Sequence, residues 1–151
     1  MKKFKYKAES YLKFLDFQKE KAMRELKKAE ARKQSLIEKF HWMEDEMKKA
    51  YKLNESFGQG GTSLHLINDN NQFIQLLKSN MQEVSNQIEV AEEEYQKKYR
   101  ALMALQTKAK QVELHKENEH KKYLKERRKT LQKQTDEINS TRKRESHAKS
   151  I

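Results

Sequence analysis

The chain has 151 residues, 38% of them charged and 34% apolar, with no cysteine, no proline and a mean hydropathy of −1.22. So polar a composition excludes a thick globular core, and the missing cysteine excludes a disulfide framework, a thiolate nucleophile and a Cys-based zinc site. A net charge of +11 points toward acidic partners.

Met1-Lys2-Lys3 has the charge of a signal n-region, but Lys5, Lys7 and Glu9 stand where an apolar run is needed. The longest apolar run, Ala101 to Leu105, is far short of a membrane span. A cytoplasmic location is the expectation.

The first helix, about residues 5–57, should start between Phe4 and Ser10. From Leu12, steps of three and four land on Leu15, Lys19, Ala22, Leu26, Ala29, Lys33, Leu36, Phe40, Met43, Met47, Ala50, Asn54 and Phe57. Eleven of these 14 positions are apolar, where composition alone would place about five. The loop, about 58–65, holds all three glycines, Gly58, Gly60 and Gly61, and so can take the positive φ angles of a helix exit. Two starts are open for the second helix: a cap at Thr62 or Ser63, or one at Asp69 with Gln72 completing a capping box.

The second helix, about 66–142, carries its own series: Ile74, Leu77, Met81, Val84, Ile88, Ala91, Tyr95, Lys98, Leu102, Leu105, Ala109 and Val112, 11 of 12 apolar. Of the next seven steps only Tyr123 is apolar. That stop has a cause. In an antiparallel pair the paired indices sum to a constant; setting Ala50 opposite Ile74 puts Leu12 opposite Val112, so the second series ends where the first helix has nothing left to offer. A heptad stripe needs a partner to bury it. The predicted fold is therefore all-α: a monomeric, antiparallel two-helix coiled-coil hairpin with a longer second helix, one domain over 1–151, and a frayed tail at 143–151. Lysines at the seam (Lys19, Lys33, Lys98) either snorkel outward or leave room for a partner's wall.

Charge is graded along this hairpin: net +7 over residues 1–53, −2 over 54–114 and +6 over 115–151. Folding back brings the two basic segments together. The run Lys121 to Lys129 projects past the seam. DNA-binding zippers also lead a basic helix out of a heptad repeat, but they are parallel dimers with the basic region first. A protein with an acidic or polar socket suits the reversed order better than nucleic acid does; a merely solvated charge run is the plain alternative. Leu124, Leu131 and Ile138 recur every seven residues in this overhang, one stripe ready for a socket. With so few apolar residues, the segment at about 120–142 should be marginal alone and order on binding.

No catalytic, cofactor or metal site is expected. The glycine loop lacks the lysine and the preceding strand of a phosphate-binding loop. His115 and His120 are five apart and read as solvated, and Glu92, Glu93 and Glu94 have no pocket to shift them. Apolar residues off the seam are more informative. Tyr11, Phe14 and Phe17 lie toward the termini, Trp42, Tyr51, Phe73 and Leu76 toward the loop, with Tyr99 between. They pack over the flanks of the seam or form two partner surfaces.

In order and position these features resemble the flagellar export protein FliJ and its relatives in type III secretion. The resemblance rests on Phe4-Lys5-Tyr6, Tyr11-Leu12, Leu15-Asp16-Phe17, Lys21-Ala22 and Glu25-Leu26. Beyond the loop it rests on Ile67-Asn68, Gln72-Phe73-Ile74-Gln75 with Leu77, and Asp136-Glu137-Ile138 followed by Arg142. It implies a non-catalytic cytoplasmic stalk whose terminal end enters the ring of the export ATPase, which contacts the membrane-embedded export gate and handles export chaperones, and which meets the membrane only through those partners. Ring contacts would then fall on Lys121, Leu124, Arg127, Arg128, Leu131 and Ile138. By position, gate contacts would fall on Tyr51, Phe73 and Leu77. A generic coiled-coil scaffold or adaptor and a basic nucleic-acid-binding rod are the alternatives.

Overall fold

A computed structural model describes residues 2–61 and 63–149. It consists of two helices, α1 over Glu9–Phe57 and α2 over Leu64–Lys149, packed as an all-α hairpin with the longer helix second. The chain groups into two compact units, Lys19–Ala104 and Met1–Gln18 with Leu105–Ile151, each containing a piece of both helices.

In the Lys19–Ala104 unit every position of both heptad series is buried or half-buried. Met43, Leu77 and Val84 form its core cluster, with Phe40, Met47, Met81 and Ile88 packed against them. Ala29, Ala50 and Ala91 are buried between the larger residues, and their small side chains let the backbones approach. Each large apolar side chain withdrawn from water contributes about 1.5–3 kcal/mol. The cross-helix partners follow the expected register: Asn54 meets Asn70, Lys33 meets Glu92 and Glu25 meets Lys98.

One buried polar residue interrupts the seam. Asn70 donates to the carbonyl of Ala50 at 2.9 Å and to Asn54 Oδ1 at 2.6 Å, while Asn54 Nδ2 donates to Asn71 Oδ1 at 2.9 Å. A buried asparagine keeps its hydrogen bonds in one register only, which is how coiled coils use the residue. Two of the three seam lysines pair within the unit. Lys33 pairs with Glu92 and lies 5.1 Å from the centroid of the Tyr95 ring, and Lys98 reaches Glu25 at 3.9 Å. Of the two readings of those lysines, outward snorkelling describes Lys33 and Lys98.

The reversal is local chemistry. α1 ends as the Gly58 N–H shares the carbonyls of Asn54 and Glu55, both at 3.2 Å. Gly61 takes a φ of 66°, in the left-handed region that a Cβ disfavours. Ser63 caps α2: its Oγ accepts from the His65 N–H at 3.3 Å and its carbonyl from those of Leu66 and Ile67. Of the two candidate starts, then, Ser63 is used; Asp69 lies inside the helix, 3.5 Å from His65, and Thr62 lies outside the described residues. The far end differs from expectation as well. α2 does not end near residue 142 but runs to Lys149, and the 120–142 stretch is helical throughout. No glycine or proline stops it, propagation from a packed helix avoids the nucleation cost, and His147 and Lys149 suit the negative end of the helix dipole.

Leu102→Asp should cost at least about 3 kcal/mol, because a buried leucine is lost and a charge takes its place; Leu26→Asp, at a half-buried position, should cost less. Thermal melts followed by circular dichroism measure both. Asn70→Leu should change stability by no more than about 1 kcal/mol but loosen the register. Cysteines placed at Glu25 and Lys98, which face each other in this register in a chain with none of its own, should then form their disulfide more slowly and less completely than in a chain that keeps Asn70. Lys33 and Gln96 hold the Glu92 carboxyl below its usual range, and Glu92 holds the Lys33 ammonium above its own. The pair's support is therefore present near neutrality and lost as pH falls through the lowered carboxyl value or rises through the raised ammonium value. Glu92→Gln should flatten the acid limb of stability against pH, by a small amount since both groups are solvent-accessible.

Candidate partner-binding surfaces

In the unit formed by Met1–Gln18 with Leu105–Ile151, Leu12, Leu15 and Ala109 are buried. The α2 series was expected to lose its cover at Val112, yet Lys116, Glu119 and Tyr123 are half-buried. The cover is the non-helical segment before α1. The Phe4 ring lies edge-on to His120 at 4.9 Å and 5.5 Å from Tyr123. Tyr6 shares a 2.7 Å hydrogen bond with His115 Nδ1, Tyr123 donates to the Lys2 carbonyl at 2.8 Å, and Lys116 pairs with Glu9 at 2.8 Å. His115 and His120 are exposed, as the sequence suggests, and also serve as ring partners of this strap. The signal was present: Phe4 and Tyr6 stand in register with His120 and residues 115–123, but an extended segment shows no helical period to betray its packing. Beside them, Lys122 is first among the groups that hold the Glu119 carboxyl below its usual range.

Past Leu124 the helix is bare. Every described residue from 125 to 149 is exposed, including Leu131 at 52% and Ile138 at 55%. The segment carries nine basic and four acidic residues. It is held by helix propensity and local bonds such as Gln132 to Asp136 at 3.1 Å. The six candidate ring residues occupy adjoining faces of this one helix, Leu124, Leu131 and Ile138 at heptad position b, Arg127 at e, and Lys121 and Arg128 at f. All but the half-buried Leu124 are exposed. Between strap and helix lies a notch of about 430 Å³ lined by Lys3, Tyr123, Arg127, Thr130, Leu131 and Gln134.

The three residues proposed for a gate contact do not come together. Leu77 is 4% exposed and belongs to the core cluster of the Lys19–Ala104 unit. A surface role for it is therefore corrected to its exposed neighbour Leu76, because position d of a heptad faces the partner helix. Tyr51 and Phe73 are both exposed, but they hold position e on α1 and position g on α2, which lie on opposite flanks of an antiparallel seam. Phe73 shares its flank with Trp42, Leu53, Leu66 and Leu76, all exposed. Leu53 and Leu66 were not singled out from sequence; their shared g positions would have revealed them.

Among the described residues no three His, Cys, Asp or Glu side chains gather as a metal site, and no helix is long and apolar enough to cross a membrane. The comparison with family models matches residues 12–147 to the family described as flagellar FliJ protein. No curated protein and no solved structure gives a significant match. With nearly its whole length matched, the chain belongs to the flagellar FliJ family, and its role lies in flagellum biogenesis and protein export.

Proposed function

We propose that the chain is a non-catalytic accessory stalk of the flagellar export ATPase. The bare basic helix enters the ATPase ring through Lys121, Leu124, Arg127, Arg128, Leu131 and Ile138, and the loop-end flank contacts the export gate and export chaperones. It works in the cytoplasm and is held at the membrane through those partners. The observation that carries this reading is the exposed helix from 125 to 149, where an apolar stripe at Leu131 and Ile138 continues from Leu124 amid net positive charge. A helix whose single apolar stripe is left exposed among the described residues suits a socket on a partner. Family membership supports the export setting, and the clustered apolar flank around Phe73 supports a second contact.

Serine at Leu124, Leu131 and Ile138 together should weaken binding to the purified export ATPase by about tenfold or more, while far-UV circular dichroism stays near that of the parent. Reversing Lys121, Arg127 and Arg128 should weaken binding most at low salt, since exposed charges are screened as ionic strength rises. Unchanged affinity and unchanged ATPase stimulation in both variants would refute insertion of this helix into the ring. Phe73→Ala with Leu76→Ala should reduce gate binding and leave ATPase binding intact.

A further inference from the structure

The strap raises a question that the stalk reading leaves open. Residues 2–7 read Lys-Lys-Phe-Lys-Tyr-Lys, and the stretch they cover runs into a segment, residues 121–135, with seven basic residues and one acidic. Cations of both segments, Lys3 and Arg127, line one notch. The attraction comes from the ring contacts of Phe4 with His120 and Tyr123, the Tyr6–His115 bond and the bond from Tyr123 to the Lys2 carbonyl. A strap held by aromatic contacts against electrostatic repulsion gains stability from any anion bound between its two sides.

The notch lies at that point. Lys3 from the strap and Arg127 from α2 supply cations from separate chain segments, and Tyr123 and Leu131 supply apolar surface. Thr130 contributes little polarity, because its hydroxyl is turned back to the Glu126 carbonyl at 3.0 Å. Two cations around an apolar pair suit a carboxylate-bearing peptide segment with an aliphatic side chain between its acids. Phosphate chains offer nothing for Tyr123 and Leu131 to cover, which sets nucleic acid second.

We infer that the strap and α2 form a composite docking notch for an acidic, aliphatic segment of a protein partner, with carboxylates on Lys3 and Arg127 and an apolar side chain between Tyr123 and Leu131. The inference rests on the reading of this end as partner-binding and deepens it: the strap, outside the span matched by the family model, becomes part of the binding surface instead of mere packing.

The test uses the full-length chain and three probes: the purified export ATPase, a synthetic peptide of repeated Glu-Glu-Leu triplets, and a short DNA duplex. A photo-reactive benzoylphenylalanine at Gln134 should cross-link to the peptide and to an acidic segment of the ATPase. Lys3→Glu and Arg127→Glu should each weaken the peptide about tenfold, the loss of one charge-assisted contact. Tyr123→Phe, which frees the Lys2 carbonyl, should weaken it less and speed hydrogen exchange in the strap. If Lys3→Glu is neutral with both protein probes while Arg127→Glu weakens them, the site is α2 alone: the notch is refuted and the stalk reading stands. If the ATPase does not bind but the peptide responds to both charge reversals, the stalk reading fails and the notch stands. Tighter binding of the duplex than of the peptide, with Lys3→Glu weakening it, would overturn the inference in favour of nucleic acid.

Discussion

Mutual burial of two narrow stripes is the constraint from which the rest follows. Neither α1 nor α2 has an apolar face broad enough to fold alone, and each supplies the main wall against which the other is buried. The seam is narrow and mixes large side chains with a few alanines, so its stability is spread over many small contributions. A single polar clamp at Asn70 then has influence out of proportion to its energy. Apolar layers tolerate a heptad slip; a buried amide with partners at Ala50 and Asn54 does not.

Unequal helix lengths turn that constraint into function. Once α1 has no more residues to offer, α2 is left uncovered, and the chain treats the uncovered length in two ways. Over residues 115–124 a short extended segment takes the place of the missing helix, using aromatic rings where a heptad would use aliphatics. Beyond that every described residue of the helix is exposed, and a sparse aliphatic stripe lies among basic residues. A family devoted to flagellar export has use for such a surface, because one helix can present its whole length to a surrounding partner.

Periodicity made the architecture legible. Both heptad series, their register and the place of the reversal follow from spacing and from three glycines, and the structure places every one of those seam residues at the interface. What spacing could not convey is equally physical. Ser63 and Asp69 are equivalent capping chemistries, and only the geometry of the turn chooses between them. The end of α2 carries no stop signal, so composition suggested fraying where propagation from a packed helix carries it on. The strap has no period, so its ring contacts with the exposed His115 and His120 leave no mark in the spacing. Leu77 carries two readings, a seam position and a gate contact by position, and its burial at 4% exposure fits the seam. Of the candidate ring residues, sequence placed all six on adjoining faces of one helix; whether a ring surrounds them is a matter of partners.

The turn has a consequence for molecularity. The same seam would form equally well between two chains, with α1 of one lying against α2 of the other, since the register is indifferent to which chain supplies each helix. What keeps the contact within one chain is the short stretch after Phe57, where Gly61 adopts a backbone conformation that helix-forming residues avoid. A lineage that replaced these glycines with alanine or lysine would favour one continuous helix and an exchanged, twofold dimer with two bare ends in place of one. Three glycines thus favour pairing of the two helices within one chain over exchange between chains.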